Sequence, residues 1–369
     1  MHEVGIGLIG TGFMGRAHAL AFHHARSAFE LPLRPRLVGL ADADPTRAAV
    51  CARNWGFEQA IGWEQLVADP KVQLVAITTP NQLHCPMGLA ALGQGKAVYC
   101  EKPLAVTLEQ ATQMRDAARA AGVVTRVGYN YLQNPMLQLA KTLIDSGELG
   151  EITTFRGEFS EDFMADPQGA FTWRCEPGQA GGALADLGSH ALCLARYLLG
   201  PVARVCADLH TVHARRPHQG GLRVVEVDDQ AHVLLRFAQG ASGSLSTSWL
   251  WHGRKNHLVV EVCGTRGSLL YNQERLNELK LYQAGAAPGL EGFRTLMAGP
   301  QLPGYAAFCP AAGHQLGYNE LKTLEVRALL EAMAGNGSHT GVDFQEAWEV
   351  ERLAHAARAS AAEGRWVEL

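Results

Sequence analysis

The sequence predicts an α/β domain on a doubly wound parallel sheet, followed by an α+β domain whose strands are mostly antiparallel. Three observations carry this. Apolar runs at 4–9, 37–41, 72–78 and 96–100 alternate with helix-compatible stretches, the β-α-β rhythm of a parallel sheet. From Glu151 the rhythm changes to successive short β-like runs joined by close turns, which favours antiparallel pairing. Between the first apolar run and the first helix stand Gly10, Gly12 and Gly15, spaced G-x-G-x-x-G. A chain of 369 residues accommodates about two domains with sizeable cores.

The glycine spacing has a defined chemistry. Gly10 allows a sharp strand-to-helix turn, Gly12 lets backbone approach a pyrophosphate, and Gly15 lets the helix pack against the strand. The N-terminus of the following helix then offers free N–H groups to the phosphates, and Phe13 and Met14 join the glycines as cofactor-binding candidates. A tight turn without a ligand has the same spacing, but the strand before and the helix after favour the dinucleotide. The helix is expected over 17–28, and the proline-bearing segment 29–36 reads as a loop. The next strand, 37–41, ends at Asp42, placed to accept hydrogen bonds from an adenosine ribose. No arginine follows it directly, and its carboxylate would repel a 2′-phosphate, so NAD is expected over NADP. Asp44-Pro45 reads as an N-cap and first helical residue, leaving Asp42 for the ribose.

A helix over 46–55 stops at Gly56, and a short strand and helix lead to a buried strand at 72–78. Its loop, Thr79, Pro80 and Asn81 with His84 beyond, lies where open α/β sheets bind ligands. A helix over 87–92 precedes the strand at 96–100, which ends in Glu101-Lys102-Pro103. A lysine at a strand's carboxyl end suits chemistry beside a nicotinamide, although a lone lysine is more often a solvated surface residue. A helix over 108–121 and a strand over 123–131 follow, then a helix over 135–145. The boundary falls near 130, dividing a dinucleotide-binding domain at 1–130 from a substrate-binding and oligomerisation domain at 131–314. Runs at 151–160, 202–212, 224–238, 241–250, 257–263, 267–272 and 275–283 form the second sheet, and helices at 317–334 and 344–362 close the chain.

Asp186 and His190 are four apart in ALADLGSHALCLARYLL and share a face if the segment is helical. A carboxylate-supported imidazole suits removal of a proton from an alcohol, but the spacing alone slightly favours a capping aspartate and a satisfied buried histidine. The preceding insert, 160–179, carries Phe163, Phe171, Trp173 and Arg174, the aromatic faces and charge that bind sugars, or else core aromatics of a packed loop. Asn130 and Tyr131 follow a strand and are further candidates for the pocket. His210, His213 and His218 lack an acidic companion, so no metal site is expected. A net charge of −4 gives no basic surface for nucleic acid, and no apolar run approaches the ~20 residues of a membrane span. The eight cysteines form no C-x-x-C, and the chain opens directly on its first strand, so a cytoplasmic protein with reduced thiols is expected.

Together the glycine loop, the stretch TTPNQLHCPMGLAALGQGKAVYCEKPLA and the later GGALADLGSH resemble the Gfo/Idh/MocA family, that of glucose–fructose oxidoreductase and inositol dehydrogenase. The resemblance spans nearly the whole chain. It implies a Rossmann domain joined to a large open-faced, mostly antiparallel sheet, with the final helices, about 315–369, packing back on the first domain. It implies NAD(P)-dependent oxidation of a sugar, cyclitol or polyol hydroxyl, with Lys102, Asp186 and His190 catalytic and Glu101 beside the cofactor. Oxidation-initiated glycoside cleavage and a non-catalytic NAD-bound sensor are the other outcomes the fold allows. An open sheet face would be apolar and buried in a homodimer or homotetramer. Cys193 stands where many members have aspartate, and Leu132-Gln133 where many have Arg-Phe.

Overall fold

The computed structural model describes residues 2–179, 181–311, 313–336 and 341–369. The chain forms two compact units, Met1–Gln133 with Leu316–Trp348, and Asn134–Gln315 with Glu349–Leu369. In the first unit β1 (His2–Ile9), α1 (Phe13–Ala28), β2 (Leu33–Ala41), α2 (Pro45–Trp55), β3 (Gln59–Ala60) and α3 (Trp63–Ala68) come first. They are followed by β4 (Leu74–Ile77), α4 (His84–Gly93), β5 (Ala97–Cys100), α5 (Leu108–Ala121) and β6 (Thr125–Val127). The second unit opens with α6 (Pro135–Asp145), β7 (Ile152–Ser160) and α7 (Ser189–Leu199). Its strands continue as β8 (Val202–His210), β9 (Arg215–His218), β10 (Gly221–Val224), β11 (Gln230–Phe237) and β12 (Ser242–Ser248). Then come β13 (His257–Gly264), β14 (Gly267–Asn272), β15 (Glu278–Gln283) and β16 (Arg294–Met297), and last α8 (Tyr318–Met333), α9 (Phe344–Glu363) and β17 (Val367–Glu368).

The first sheet has the order β3-β2-β1-β4-β5-β6 with every pair parallel. The order reverses between β1 and the neighbours β2 and β4, and at such a switch point the carboxyl ends of the strands form a crevice. Ile6, Leu8, Leu74, Ala76 and Tyr99 pack with Phe22 and Ala25 of α1 and with Val326, Leu329 and Leu330 of α8 in one core. Helix α8 thus covers this sheet beside α1, whereas the chain from Glu349 on, most of α9 included, belongs to the second unit. Asp44 caps α2 through Thr46 N and Arg47 N with Pro45 at the first turn, and Gly56 closes it at φ 74°.

Three local expectations need correction. Helix α1 begins at Phe13, not 17, because Gly12 itself is its N-cap. The segment around Pro35 is strand, not loop: β3 pairs only with Gly39 and Leu40, so β2 is an edge at Pro35, where proline is tolerated. The strand at 123–131 shrinks to Thr125–Val127, because the chain turns into a 3₁₀ segment at Asn130–Gln133.

The second sheet runs β16-β15-β14-β13-β7-β12-β11-β8-β17, antiparallel except for the β7–β12 pair. Alternation assigns its faces. Phe155, Phe159, Val233, Leu235, Leu245, Val260 and Val262 point to the buried side. On the other side Asp208, His232, Ser246, Glu158 and Val259 fall in one cross-strand row, and Cys206, Leu234, Ser244, Arg156 and Glu261 in the next. Arg156 and Glu261 form an ion pair at 3.3 Å within the second row. The open face is therefore polar, interrupted by apolar residues such as Leu234, 51% exposed. The expectation of a large apolar face fails because the period-2 pattern sends Gly243, Leu245 and Thr247 inward and leaves the serines outside. A separate hairpin, β9–β10, was not evident in the sequence.

Candidate functional site

In the first unit the glycine loop shows three different constraints. Gly10 sits at φ 105°, and a Cβ there would lie 2.8 Å from both the carbonyl oxygen and the hydroxyl of Thr78. A Cβ on Gly15 would overlap the Gly10 carbonyl oxygen. Around Gly12, in contrast, a Cβ would meet nothing within 4 Å. Gly12 caps α1 without a side-chain hydrogen bond, so the N–H groups of its first turn remain directed outward. An open approach over uncapped N–H groups fits a pyrophosphate. Phe13, 76% exposed, lies at its rim.

Asp42 stands at the end of β2 with its carboxylate already oriented. Oδ2 accepts from Thr11 N at 2.8 Å and from the Thr11 hydroxyl, and Oδ1 accepts from Asp44 N at 3.0 Å. Partial burial works against ionisation, but these hydrogen bonds and nearby Arg47 hold its pKa below the ordinary carboxylate value. A fixed carboxylate with spare acceptor capacity suits two ribose hydroxyls. Arg47 donates to Thr11 O at 2.9 Å, so an arginine does reach this corner, from α2 instead of from the residue after Asp42.

Thr79, Pro80 and Asn81 follow β4, and Thr79 Oγ1 is buried with no hydrogen-bond partner among the described residues. The Asn130 Nδ2 group is in the same condition. Orphaned buried polar atoms beside a ligand crevice fit a group that completes them on binding. His84 does not face outward: its ring lies between Pro103 O at 2.8 Å and Thr79 O at 3.0 Å, and burial lowers its pKa. It ties together the loops after β4 and β5. Glu101 is buried as well, with Lys322 Nζ at 2.9 Å and His18 Nε2 at 2.7 Å from its Oε1. Burial opposes its ionisation, yet Lys322 and His18 hold its carboxyl well below the usual range. Lys102 follows, half-buried, its backbone N–H 3.3 Å from Glu101 Oε2. Tyr131 is buried, its ring edge-on to Tyr318 at 6.1 Å.

In the second unit Asp186 lies in a π-helical turn, Leu184–Gly188, and His190 in the first turn of α7. A widened turn, of a kind frequent at functional sites, therefore separates them in place of a regular α turn. Leu187, Ala191, Leu194 and Leu198 form the buried apolar face of this segment. The insert supplies Arg174, whose Nε lies 3.0 Å from Asp186 Oδ2. Its guanidinium stacks over Trp173, 4.5 Å from the ring centroid, and over Phe163 at 5.3 Å. Trp173 and Phe163 are each 45% exposed, so they offer aromatic faces outside any core. His190 is buried, edge-on to Phe159 at 5.8 Å.

Residues 4–129 match the family described as "Oxidoreductase family, NAD-binding Rossmann fold", and residues 137–270 match "GFO/IDH/MocA C-terminal domain". The levoglucosan dehydrogenase of Pseudarthrobacter phenanthrenivorans is 37% identical over 386 residues, covering 100% of this chain and 99% of that protein. The chain belongs to the Gfo/Idh/MocA family. A solved levoglucosan dehydrogenase in complex with NADH and L-sorbose superposes with a TM-score of 0.96 at 38% identity, over 100% of this chain and 99% of that one. An NAD binding oxidoreductase from Klebsiella pneumoniae gives 0.95 at 42% identity, over 99% and 98%. This Gfo/Idh/MocA chain is an oxidoreductase with an NAD-binding Rossmann unit, as its motifs suggest.

Sequence reasoning missed several residues that shape these sites. Asp228 accepts from Leu184 N at 2.7 Å and, through its backbone oxygen, from Ala183 N at 2.8 Å, capping the segment that carries Asp186. Burial raises its pKa. Nothing local marks it, since it lies 42 positions after Asp186. Lys322 and Glu325 did leave a signal, because both occupy the apolar stripe of α8 formed with Val326 and Leu329. His18 likewise falls on the stripe Gly15, Ala19, Phe22 and Ala25 of α1.

Proposed function

We propose that the chain is an NAD-dependent dehydrogenase that reversibly oxidises a secondary hydroxyl of a sugar, cyclitol or related polyol. The observation that carries this is full-length similarity to a levoglucosan dehydrogenase in a chain that also holds Lys102, Asp186 and His190. The first unit serves as the dinucleotide domain, with the backbone of Gly10, Gly12, Phe13, Met14 and Gly15 on the pyrophosphate and Asp42 on the adenosine ribose. Thr79, Pro80, Asn81 and Lys102 border the nicotinamide half, while His84 and Glu101 hold the loops that do so. When bound, the nicotinamide supplies the hydride acceptor.

His190 takes the hydroxyl proton, and Asp186 supports the cation that forms. Lys102 donates to the same oxygen and stabilises its developing negative charge. The second unit serves as the substrate domain: Trp173 gives a flat apolar face to a sugar ring, and Arg174 fixes the Asp186 carboxylate and offers further donors. Asn130 and Tyr131, in the first unit, are further polar candidates for the substrate. We place the protein in the cytoplasm, as a homodimer or homotetramer formed through the open sheet face. Light scattering on Leu234→Glu tests the latter, because replacing that exposed apolar side chain by an unpaired carboxylate dissociates the assembly, and an unchanged mass rules the face out.

The functional test is an NADH-absorbance screen of levoglucosan, inositols, aldoses and glycosides with NAD and NADP, followed by product mass. Loss of two hydrogens from a substrate supports the reading. Glycosidic cleavage assigns the oxidation-initiated lyase instead, and tight NAD binding without NADH from any compound assigns a sensor.

A further inference from the structure

The turn that carries Lys102 rests on a buried set of charges drawn from three parts of the chain. Lys322 Nζ lies 2.9 Å from Glu101 Oε1 and 2.9 Å from Glu325 Oε2, and its side chain is fully buried. His18 reaches the same Glu101 Oε1 at 2.7 Å from α1. Glu325 continues to the Tyr99 hydroxyl, and Lys322 lies over the Tyr99 ring at 5.3 Å. Across the carboxylate, a Cβ on Gly128 would come within 2.6 Å of Glu101 Oε2, so the end of β6 closes the remaining side. Arg126, also buried, brings a second cation toward Glu325, Tyr99 and Asp343.

As a device for stability this arrangement is inefficient. Burying several ions costs about as much as their attraction returns, and apolar packing of equal volume does as well. What it provides is direction. Glu101 Oε1 is held by α1 and α8, leaving Oε2 toward the backbone N–H of Lys102. We propose that Lys322 and His18 are positioning residues: by clamping Glu101 they fix the backbone turn that presents Lys102 to the reacting hydroxyl. This rests on the reading that Lys102 acts in the dehydrogenation. Neither residue touches substrate; each acts through Glu101.

Three measurements on the full chain test the clamp: hydrogen exchange of the peptide containing 99–106, NADH affinity, and kcat against KM on the best polyol. Lys322→Met/Glu325→Gln removes one cation and one anion, so the buried net charge is unchanged. The Lys102 amide is then expected to exchange about tenfold faster or more. Turnover falls about 10–100-fold, because a shifted catalytic group loses rate steeply, while KM and the NADH dissociation constant stay within about threefold. His18→Gln, which keeps a donor for Glu101, retains kcat within about threefold, whereas His18→Leu loses at least about tenfold. The His18 pair decides the matter alone if the double variant does not fold. Unchanged exchange at Lys102 or unchanged kcat in both His18→Leu and the double variant overturns the clamp. Faster exchange in a protein whose wild type oxidises no polyol leaves the clamp standing and removes the dehydrogenase reading.

Discussion

The glycine loop separates folding from cofactor binding, and two single substitutions expose the separation. At Gly10 an alanine must hold φ 105° and place its Cβ 2.8 Å from two Thr78 atoms, where ordinary contact begins near 3.4 Å. A left-handed backbone on a residue with a Cβ costs about 1–3 kcal/mol, and an overlap of this size about 1–3 kcal/mol more. Gly10→Ala therefore loses about 2–6 kcal/mol, which lowers Tm by at least about 4 °C in a unit of this size. At Gly12 the backbone is extended, φ −70° and ψ −167°, and a Cβ meets nothing within 4 Å. The cost of alanine there is limited to a poorer N-cap, about 1 kcal/mol or less. Its methyl instead occupies the approach path of the pyrophosphate, so NADH affinity drops at least about tenfold, or about 1.4 kcal/mol. Differential scanning fluorimetry and titration of NADH fluorescence read the two effects separately. A Gly12→Ala protein that binds NADH like wild type refutes the placement of the phosphates over this turn.

Asp42→Ser removes a charged acceptor from the ribose; a hydrogen bond to a charged group is worth about 1.5–3 kcal/mol, so NADH weakens by about 10–150-fold and the gap to NADPH narrows, and an unchanged NADH/NADPH ratio in parallel titrations contradicts the assignment. His18 bears on acid stability. Burial holds its folded pKa below the ordinary 6.5, against the pull of Glu101, while Lys322 opposes protonation and Glu325 favours it. The unfolded state then binds more protons once pH falls below 6.5, so stability is full above that value and declines as pH drops, by up to about 1.4 kcal/mol per pH unit for this group. The Tm of wild type is expected to fall from pH 7 to pH 5 more steeply than that of His18→Gln, and equal slopes count against it. Arg174→Gln breaks the 3.0 Å contact with Asp186 on a partly exposed side chain, so Tm moves by no more than about 4 °C while kcat/KM falls about tenfold or more; unchanged kcat/KM removes Arg174 from the site.

Much of this was legible in the sequence because it is local. The β-α-β rhythm and the glycine spacing each depend on neighbours within a few residues, and α5 and α6 fall where caps and apolar spacing put them. Asp42 was readable from its strand end, but the Thr11 and Asp44 bonds that orient it required the fold. Non-local contacts left weaker traces. Lys322 lies 221 residues from Glu101, and only its position on an apolar stripe hinted at burial. Asp228 gave no hint at all, since its partner segment begins 44 residues earlier. The polarity of the open sheet face was readable in Ser242, Ser244 and Ser246, and the expectation of an apolar face set that alternation aside.

The central claim is that hydride leaves a carbohydrate carbon for the nicotinamide with His190 removing the proton. The direct measurement uses the fully deuterated form of the polyol that the absorbance screen selects, NAD and the wild-type protein, with mass spectrometry of the reduced dinucleotide. The account predicts one deuterium per reduced cofactor, formed about 10²–10⁴-fold more slowly by His190→Ala at unchanged NADH affinity. Reduced cofactor without deuterium, or His190→Ala as fast as wild type, contradicts it.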